Sequence, residues 1–442
     1  MLKLHEAGDF ISITGDIPLN GEFTVRGAKN FVSKVMVAAI LAPGKSVLMN
    51  VPKIRDVQIV SSLLRLHGCA IEYDEENGVL EIDASQVVQP EIADVETLAG
   101  SSRIPILFCG PLLHRLKSAF IPNLGGCVIG GRPVDFHFEA LRRFGAEIDV
   151  QEDGVKITAP NGLKGAKINL PYPSVGATEQ VLLTAVCVDG KTELSNAAVE
   201  PEILNEIDVL QKMGAIISID TDRTIHIEGV KSLRPYEHIA LTDRIEVGSW
   251  ACAALATHGD VFLRGAKQSH MTTFLNTFRK IGGEFDIHDD GIRFYHPGGK
   301  LNPIALETDV HPGFATDWQQ PLVVALTQAH GLSILHETVY EERLGFTKAL
   351  TRMGASIQRY KECLGPTKCR FNERNFEHSA VISGPTKLHG ANILVPDLRG
   401  GFSYLIASLA AEGESKVYGI SLIDRGYEFF REKLTALGAN IG

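Results

Sequence analysis

The chain has 442 residues, 44% of them hydrophobic and 22% charged, with a formal net charge of −10. That length is too great for one ordinary core, so two domains of about 200 residues each are expected. The composition excludes a disordered or fibrous protein, and the interspersed acidic balance excludes a general nucleic-acid surface, which needs a basic face.

The first residues, MLKLHEAGDF, lack the apolar core of a secretory signal. Apolar stretches such as residues 35–41 fall well short of the roughly 20 residues that span a bilayer. A cytoplasmic protein without a membrane partner is therefore expected. The segment FISITGD at residues 10–16 alternates like a strand. After it the chain falls into repeating phrases. A helix starts at Lys29 and Asn30. The turn and strand PGKSVLMNV follow, then a second helix ending at Gly68 in LHGCAIEY, and then the strand phrase NGVLEI. The glycine phrase returns as FGAEIDV at Gly145, MGAIISI at Gly214, IGGEFDI at Gly282, MGASIQ at Gly354 and LGANI at Gly438. The spacings are 77, 69, 68, 72 and 84 residues, so six units of helix, strand, helix, strand, strand fill the chain. Each glycine sits where a helix must stop, a left-handed position. The sixth unit runs out at Gly442 before its last strand, so the N-terminal strand is expected to complete it. The expected domains are residues 21–241, holding units one to three, and residues 1–20 plus 242–442, holding units four to six and both chain ends.

The first helix of each unit opens on a polar or charged cluster: Lys29 and Asn30; residues 101–103; residues 174–178; residues 243–246; Thr316 and Asp317; residues 397–399. Helix N-termini carry free N–H groups and partial positive charge and so attract anions. Ser, Thr and Asp there are also ordinary N-caps. Lys29, Arg103 and Arg399 oppose the helix dipole and need another reason to be there. Residues 124–137 carry four glycines (Gly125, Gly126, Gly130, Gly131), with Pro133 placed for a helix's first turn. Cys127 lies among those glycines, a poor place to bury a thiol, and Arg132 would lower its pKa if folded near it. The seven cysteines (69, 109, 127, 187, 252, 363, 369) contain no C-x-x-C pair, so neither a zinc site nor a disulfide framework is expected. No G-x-x-x-x-G-K-[ST] stretch suggests an ATP site.

The ordered set GEFTVRGAKN, LGGCVIGGRPVDFH, PSVGAT, VEPEI, HPGFATDWQQ, ETVYEER, VPDLRG and IDRGYE resembles the UDP-N-acetylglucosamine 1-carboxyvinyltransferase family from about residue 10 to 442. The resemblance implies an α/β fold, a two-domain inside-out barrel of six repeated units. It implies transfer of the enolpyruvyl group of phosphoenolpyruvate to the 3-hydroxyl of the sugar of UDP-N-acetylglucosamine, the first committed step towards peptidoglycan, with no metal or cofactor. It assigns Cys127 as the general acid and Asp317 as base or proton relay. Phosphate contacts fall on Lys29, Arg132 and Arg425, carboxylate contacts on Arg343 and Arg399, and Arg103 matches a further active-site arginine. The sugar nucleotide would meet Asn30, Pro133, Val134, Asp135, Phe136, Ser174, Val175, Gly176, Asp317 and Val339, with Asp56 and Asp397 as supporting carboxylates. Such chemistry needs cations, because phosphoenolpyruvate carries about three negative charges and guanidinium forks grip carboxylate and phosphate at two points. Two positions depart from the family pattern. Tyr172 stands where a lysine is usual before SVGAT, and Leu124 replaces a proline. The rivals are an enolpyruvyl transferase using another nucleotide or shikimate 3-phosphate, and a non-catalytic paralogue that binds a sugar nucleotide.

Overall fold

Each of the six helix-ending glycines has φ between +82° and +108°, a region that a Cβ would strain. They stop the helices Arg55–Leu66, Asp135–Arg143, Pro201–Lys212, Thr272–Ile281, Thr347–Arg352 and Phe430–Ala436, and each turns the chain into a strand two residues later. The computed structural model describes residues 8–99, 102–122, 134–366 and 368–442.

The first strand of a unit pairs antiparallel with the last, and the last with the middle one. In the first unit Lys45–Met49 pairs with Val79–Asp83, which pairs with Ala70–Asp74. Burial alternates along such strands, so one face of each sheet is covered and the other is wet. In the sixth sheet the strand Phe10–Thr14 lies between Glu414–Tyr418 and Asn440–Ile441, antiparallel to both, with Ile13 opposite Ser415 and Ile441.

Five sheets have a fourth strand that the alternation of the sequence does not reveal, because four of these strands have only three residues. It is parallel to its neighbour and precedes a buried helix: Lys167–Asn169 beside Lys191–Ser195, Glu237–Ile239 beside Lys45–Met49, Ala305–Glu307 beside Gly331–His336, and Asn392–Leu394 beside Glu414–Tyr418. The fifth, Asn20–Thr24, runs beside Asp260–Arg264. That pairing moves the expected boundary at residue 20. Among the described residues, one unit comprises residues 8–25 and those from Thr242 onward, and the other those from Arg26 to Leu241; residues 123–133 lie outside the described residues. The second repeat also departs from the pattern. Its opening is the helix Ile92–Ala99, a 3-10 turn Ile104–Phe108 and the helix Cys109–Leu116, and among the described residues its sheet has three strands.

Each unit has its own core. In the unit from Thr242 onward, three helices pack on one another: Arg244–Ala256, Thr316–Leu326 and Leu398–Ala410. Every residue of the first is buried, as is the third from Leu398 to Leu409. A helix apolar on every side must be covered on every side, and the sheets do the covering. Helices inside and sheets outside make this the inside-out α/β arrangement. In the other unit the inner helices are Lys29–Ala38, Cys109–Leu116 and Val175–Ala185. Among the described residues no helix is long and apolar enough to cross a membrane.

Ile13 is wholly buried, so Ile13→Ala should cost about 2–5 kcal/mol, and removal of residues 1–14 should cost more. Urea unfolding measures both. An unchanged midpoint after the deletion would show that the strand contributes nothing to the sheet it enters.

Candidate active site

In the unit from Thr242 onward, charged side chains gather where the buried helices begin. Asp317 lies in the first turn of Thr316–Leu326, but it is not the cap: Ala315 holds the N-cap position. The Asp317 carboxylate instead meets two arginines. Oδ1 accepts from Arg343 Nη2 at 2.5 Å, and Oδ2 lies 3.6 Å from Arg399 Nε. Both guanidiniums are buried, at 2% and 4% exposure. Arg343 Nε and Nη1 and Arg399 Nη1 are buried with no hydrogen-bond acceptor among the described residues. A buried guanidinium with unspent donors is costly unless an anion completes it.

The neighbours hold these arginines in place. The Arg343 guanidinium sits over the Tyr340 ring at 5.4 Å and that of Arg399 over Tyr427 at 5.2 Å. The Tyr427 hydroxyl is 2.9 Å from Ser249 Oγ, and its ring stacks on Phe402 at 4.0 Å. Burial alone would lower the Arg399 pKa, but Tyr427, Asp317 and Asp243 outweigh it, so the charge persists. Glu337 is fully buried. Its Oε1 accepts from the Val339 and Tyr340 N–H groups at 2.8 and 3.0 Å, and its Oε2 accepts from the Thr316 hydroxyl at 2.9 Å. Burial raises its pKa and nearby Arg343 opposes the rise. Glu337 thus shapes the turn that presents Val339. Asp397 caps its own helix, accepting from the Arg399 and Gly400 N–H groups at 2.9 and 3.0 Å. Arg425 is half-buried in the segment leading to Tyr427.

In the other unit, Lys29 opens its helix and pairs with Asp56 at 2.7 Å; Asp56 is 4% exposed, in the first turn of Arg55–Leu66. That ion pair is what permits a cation at a helix start, where the dipole alone disfavours it. Asn30 follows, its carbonyl accepting from Lys34 Nζ at 2.7 Å. Lys34 in turn lies 3.4 Å from the buried carboxylate of Glu179. Ser174 does cap: its Oγ accepts from the Ala177 N–H at 3.3 Å. The N–H groups of Val175 and Gly176 belong to the first turn, which has no intrahelical acceptors. Gly176 sits close to His137, where a Cβ would come within 3.1 Å of Nε2. Burial pushes the His137 pKa down to about 4, so the ring is neutral. Arg103 precedes the 3-10 turn and contributes to the field at His137. Val134 holds the N-cap position of Asp135–Arg143, with Asp135 exposed and Phe136 half-buried.

The structure therefore brings Asp317, Arg343, Arg399 and Asp397 together in one unit, and Lys29, Asn30 and Asp56 in the other. Cys127, Arg132 and Pro133 lie outside the described residues. The roles of Glu337, Tyr427, Lys34 and Glu179 escape sequence reasoning, although the first two lie inside the motifs ETVYEER and IDRGYE. Among the described residues one group can hold a metal ion, His336, Cys363, Cys369 and His378; none of these belongs to the site above.

The model of the family EPSP synthase (3-phosphoshikimate 1-carboxyvinyltransferase) matches residues 13–434. The chain is similar to the UDP-N-acetylglucosamine 1-carboxyvinyltransferase of Protochlamydia amoebophila (strain UWE25), 47% identical over 438 residues, covering 98% of this chain and 94% of that one. It is similar to the protein of that name from Chlamydia trachomatis serovar D, 44% identical over 433 residues, with 98% and 97% covered. Among solved structures it resembles the enolpyruvyl transferase NikO from Streptomyces tendae, with TM-score 0.86, 23% identity and 98% of each chain covered. It also resembles the EPSP synthase from Acinetobacter baumannii, with TM-score 0.74, 19% identity, and 98% and 99% covered. The structural likenesses show the fold.

Burial raises the Glu179 pKa to about 7, against the pull of Lys34. The folded chain then binds a proton that the unfolded chain has already released between about pH 4.5 and about pH 7. This contribution to stability is greatest at low pH and is lost as pH rises through the folded pKa. Relative to Glu179→Gln, the parent should lose up to about 3 kcal/mol between about pH 5 and about pH 7.5. Denaturant titrations across that range measure it, and parallel curves for the two proteins would contradict the assignment.

Proposed function

This chain belongs to the EPSP synthase (3-phosphoshikimate 1-carboxyvinyltransferase) family, and on that premise we propose that it transfers the enolpyruvyl group of phosphoenolpyruvate to the 3-hydroxyl of the sugar of UDP-N-acetylglucosamine, releasing phosphate. The acceptor follows the name shared by relatives 43–47% identical over nearly the whole chain. The product is the enolpyruvyl ether that feeds peptidoglycan synthesis. Both substrates are metabolites of the cytoplasm, which is where the reaction belongs.

The hydroxyl oxygen adds to C2 of phosphoenolpyruvate while C3 gains a proton, and the tetrahedral ketal then loses phosphate from C2 and a proton from C3, which restores the C2=C3 double bond in the product. Cys127 gives the proton to C3, and Asp317 takes the hydroxyl proton. The observation that carries this reading is the Asp317 carboxylate shared by two buried arginines that still have unspent donors. A substrate carboxylate that binds Arg343 and Arg399 supplies the missing acceptors. It also competes with Asp317 for the guanidiniums, which leaves a carboxylate oxygen of Asp317 available for the hydroxyl proton. Charge-assisted hydrogen bonds of this kind contribute about 1.5–3 kcal/mol each. Lys29, Arg132 and Arg425 take the phosphate, and Arg103 is a further substrate-binding arginine. Asn30, Pro133, Val134, Asp135, Phe136 and Val339 line the sugar nucleotide. The N–H groups of Ser174, Val175 and Gly176 receive its diphosphate. Asp56 orients Lys29 through their ion pair.

Titration of the pure protein with phosphoenolpyruvate and a panel of acceptors, following inorganic phosphate, should give turnover with UDP-N-acetylglucosamine and none with shikimate 3-phosphate. Equal turnover on another nucleotide would reassign the acceptor, and no turnover at all would leave a binding protein. Asp317→Asn should lower kcat by about 10²–10⁴-fold while the KM for the sugar nucleotide moves only a few-fold. Near-normal turnover would remove Asp317 from proton transfer.

A further inference from the structure

The strand Gly331–His336 ends on a histidine that is fully buried. Its Nδ1 is 2.6 Å from Glu307 Oε2, and its other nitrogen, Nε2, is buried with no hydrogen-bond partner among the described residues. A buried imidazole that donates one N–H to a carboxylate presents a lone pair on the other nitrogen, and that is the preparation of a metal-binding histidine. Nε2 is one of four ligand atoms, from His336, Cys363, Cys369 and His378, that all lie within 4.8 Å of one another.

Three of the four come from the connection between the strands Ser356–Tyr360 and Ser379–Gly384, and His336 lies opposite Ser379 in the antiparallel pairing. Cys363 and Cys369 are both free thiols, with sulfurs 3.6 Å apart. Cys363 Sγ is 3.4 Å from His378 Nε2. A tetrahedral zinc ion with two thiolate and two imidazole ligands sets edges of about 3.8 Å between sulfurs and about 3.5 Å between sulfur and nitrogen. The observed edges are already near these values. His378 is oriented as His336 is: its Nδ1 is 2.9 Å from the Phe376 carbonyl, which turns Nε2 towards the sulfurs. Backbone donors also face the sulfurs, the Cys369 N–H towards Cys363 Sγ at 3.5 Å and the Phe371 N–H towards Cys369 Sγ at 3.3 Å. They would stabilise thiolates. Gly365 lets the connection cross the Glu307–His336 pair, where a Cβ would fall 1.9 Å from Glu307 Oε2 and 2.3 Å from His336 Nδ1.

We propose that His336, Cys363, Cys369 and His378 bind one zinc ion through His336 Nε2, His378 Nε2 and the two thiolates. Binding expels the two thiol protons, so the dication and two thiolates form a neutral centre suited to a buried place. All four positions are filled by the protein, which makes the site structural. It reverses the expectation drawn from the missing C-x-x-C pair: the spacing here is C-x5-C-x8-H, with the fourth ligand on another strand. The ion clips the connection 361–378 to the sheet. Arg370, next to Cys369, donates to the Val339 carbonyl, so the clip also steadies the turn that Glu337 shapes.

Elemental analysis of untagged full-length protein, purified from zinc-supplemented cells, should find one zinc per chain. Cobalt exchanged into that site should give the intense visible absorption of a tetrahedral centre and a thiolate-to-cobalt charge-transfer band. Cys369→Ser and His336→Asn should lower bound zinc at least tenfold, while Cys187→Ser retains it. If the ligand variants fail to fold, the cobalt spectrum of the parent decides. A parent that takes up no added zinc, zinc retained in Cys369→Ser, or a cobalt spectrum without thiolate charge transfer would overturn the proposal. A chain isolated two hydrogens lighter, with Cys363 and Cys369 joined in a disulfide, would overturn it as well.

Discussion

Helices with no polar side can be stable only if they are covered all round. In the unit from Thr242 onward, three such helices pack together, and the sheets around them expose one face to water. This arrangement leaves the inner helices only their ends for chemistry. Polar groups therefore gather at helix starts, where free N–H groups already favour anions. Asp243, Thr316, Asp317, Asp397 and Arg399 all stand at such ends, as do Lys29 and Ser174 in the other unit.

The charges at those ends are not equivalent. Asp397 and Asp243 each spend one carboxylate oxygen on two N–H groups of their own helices. They are caps, and their value is local. Asp317, two positions past its helix's N-cap, is released from capping and becomes the counter-ion of two arginines from other parts of the chain. The same residue type at nearly the same helical position thus caps a helix in two repeats and meets arginines in a third. Lys29 and Asp56 show the complementary case, a cation tolerated at a helix start because a buried carboxylate compensates it.

The fifth repeat differs from the others in its second half. Where the first four units pass from the middle strand to the last through a short turn, this one inserts the connection 361–378. A connection of that length needs fastening. The described contacts supply it through two histidines, two cysteines, the Glu307 carboxylate and Arg370 on the Val339 carbonyl. The extra segment therefore bears directly on the turn that leads to Arg343.

Much of this protein could be read from local pattern. The six helix-stopping glycines marked the six repeats, because a left-handed backbone position is a property of a single residue and its neighbours. Strand alternation and the charged helix starts were legible for the same reason, and the ordered motifs pointed to Asp317, Arg343 and Arg399. Tertiary structure alone decided which sheet the strand Asn20–Thr24 joins, that Asp317 answers two arginines rather than capping a helix, and that His336 meets Cys363, Cys369 and His378. Those facts rest on strand register and side-chain approach between segments far apart in sequence. No periodicity within a segment encodes such a distance.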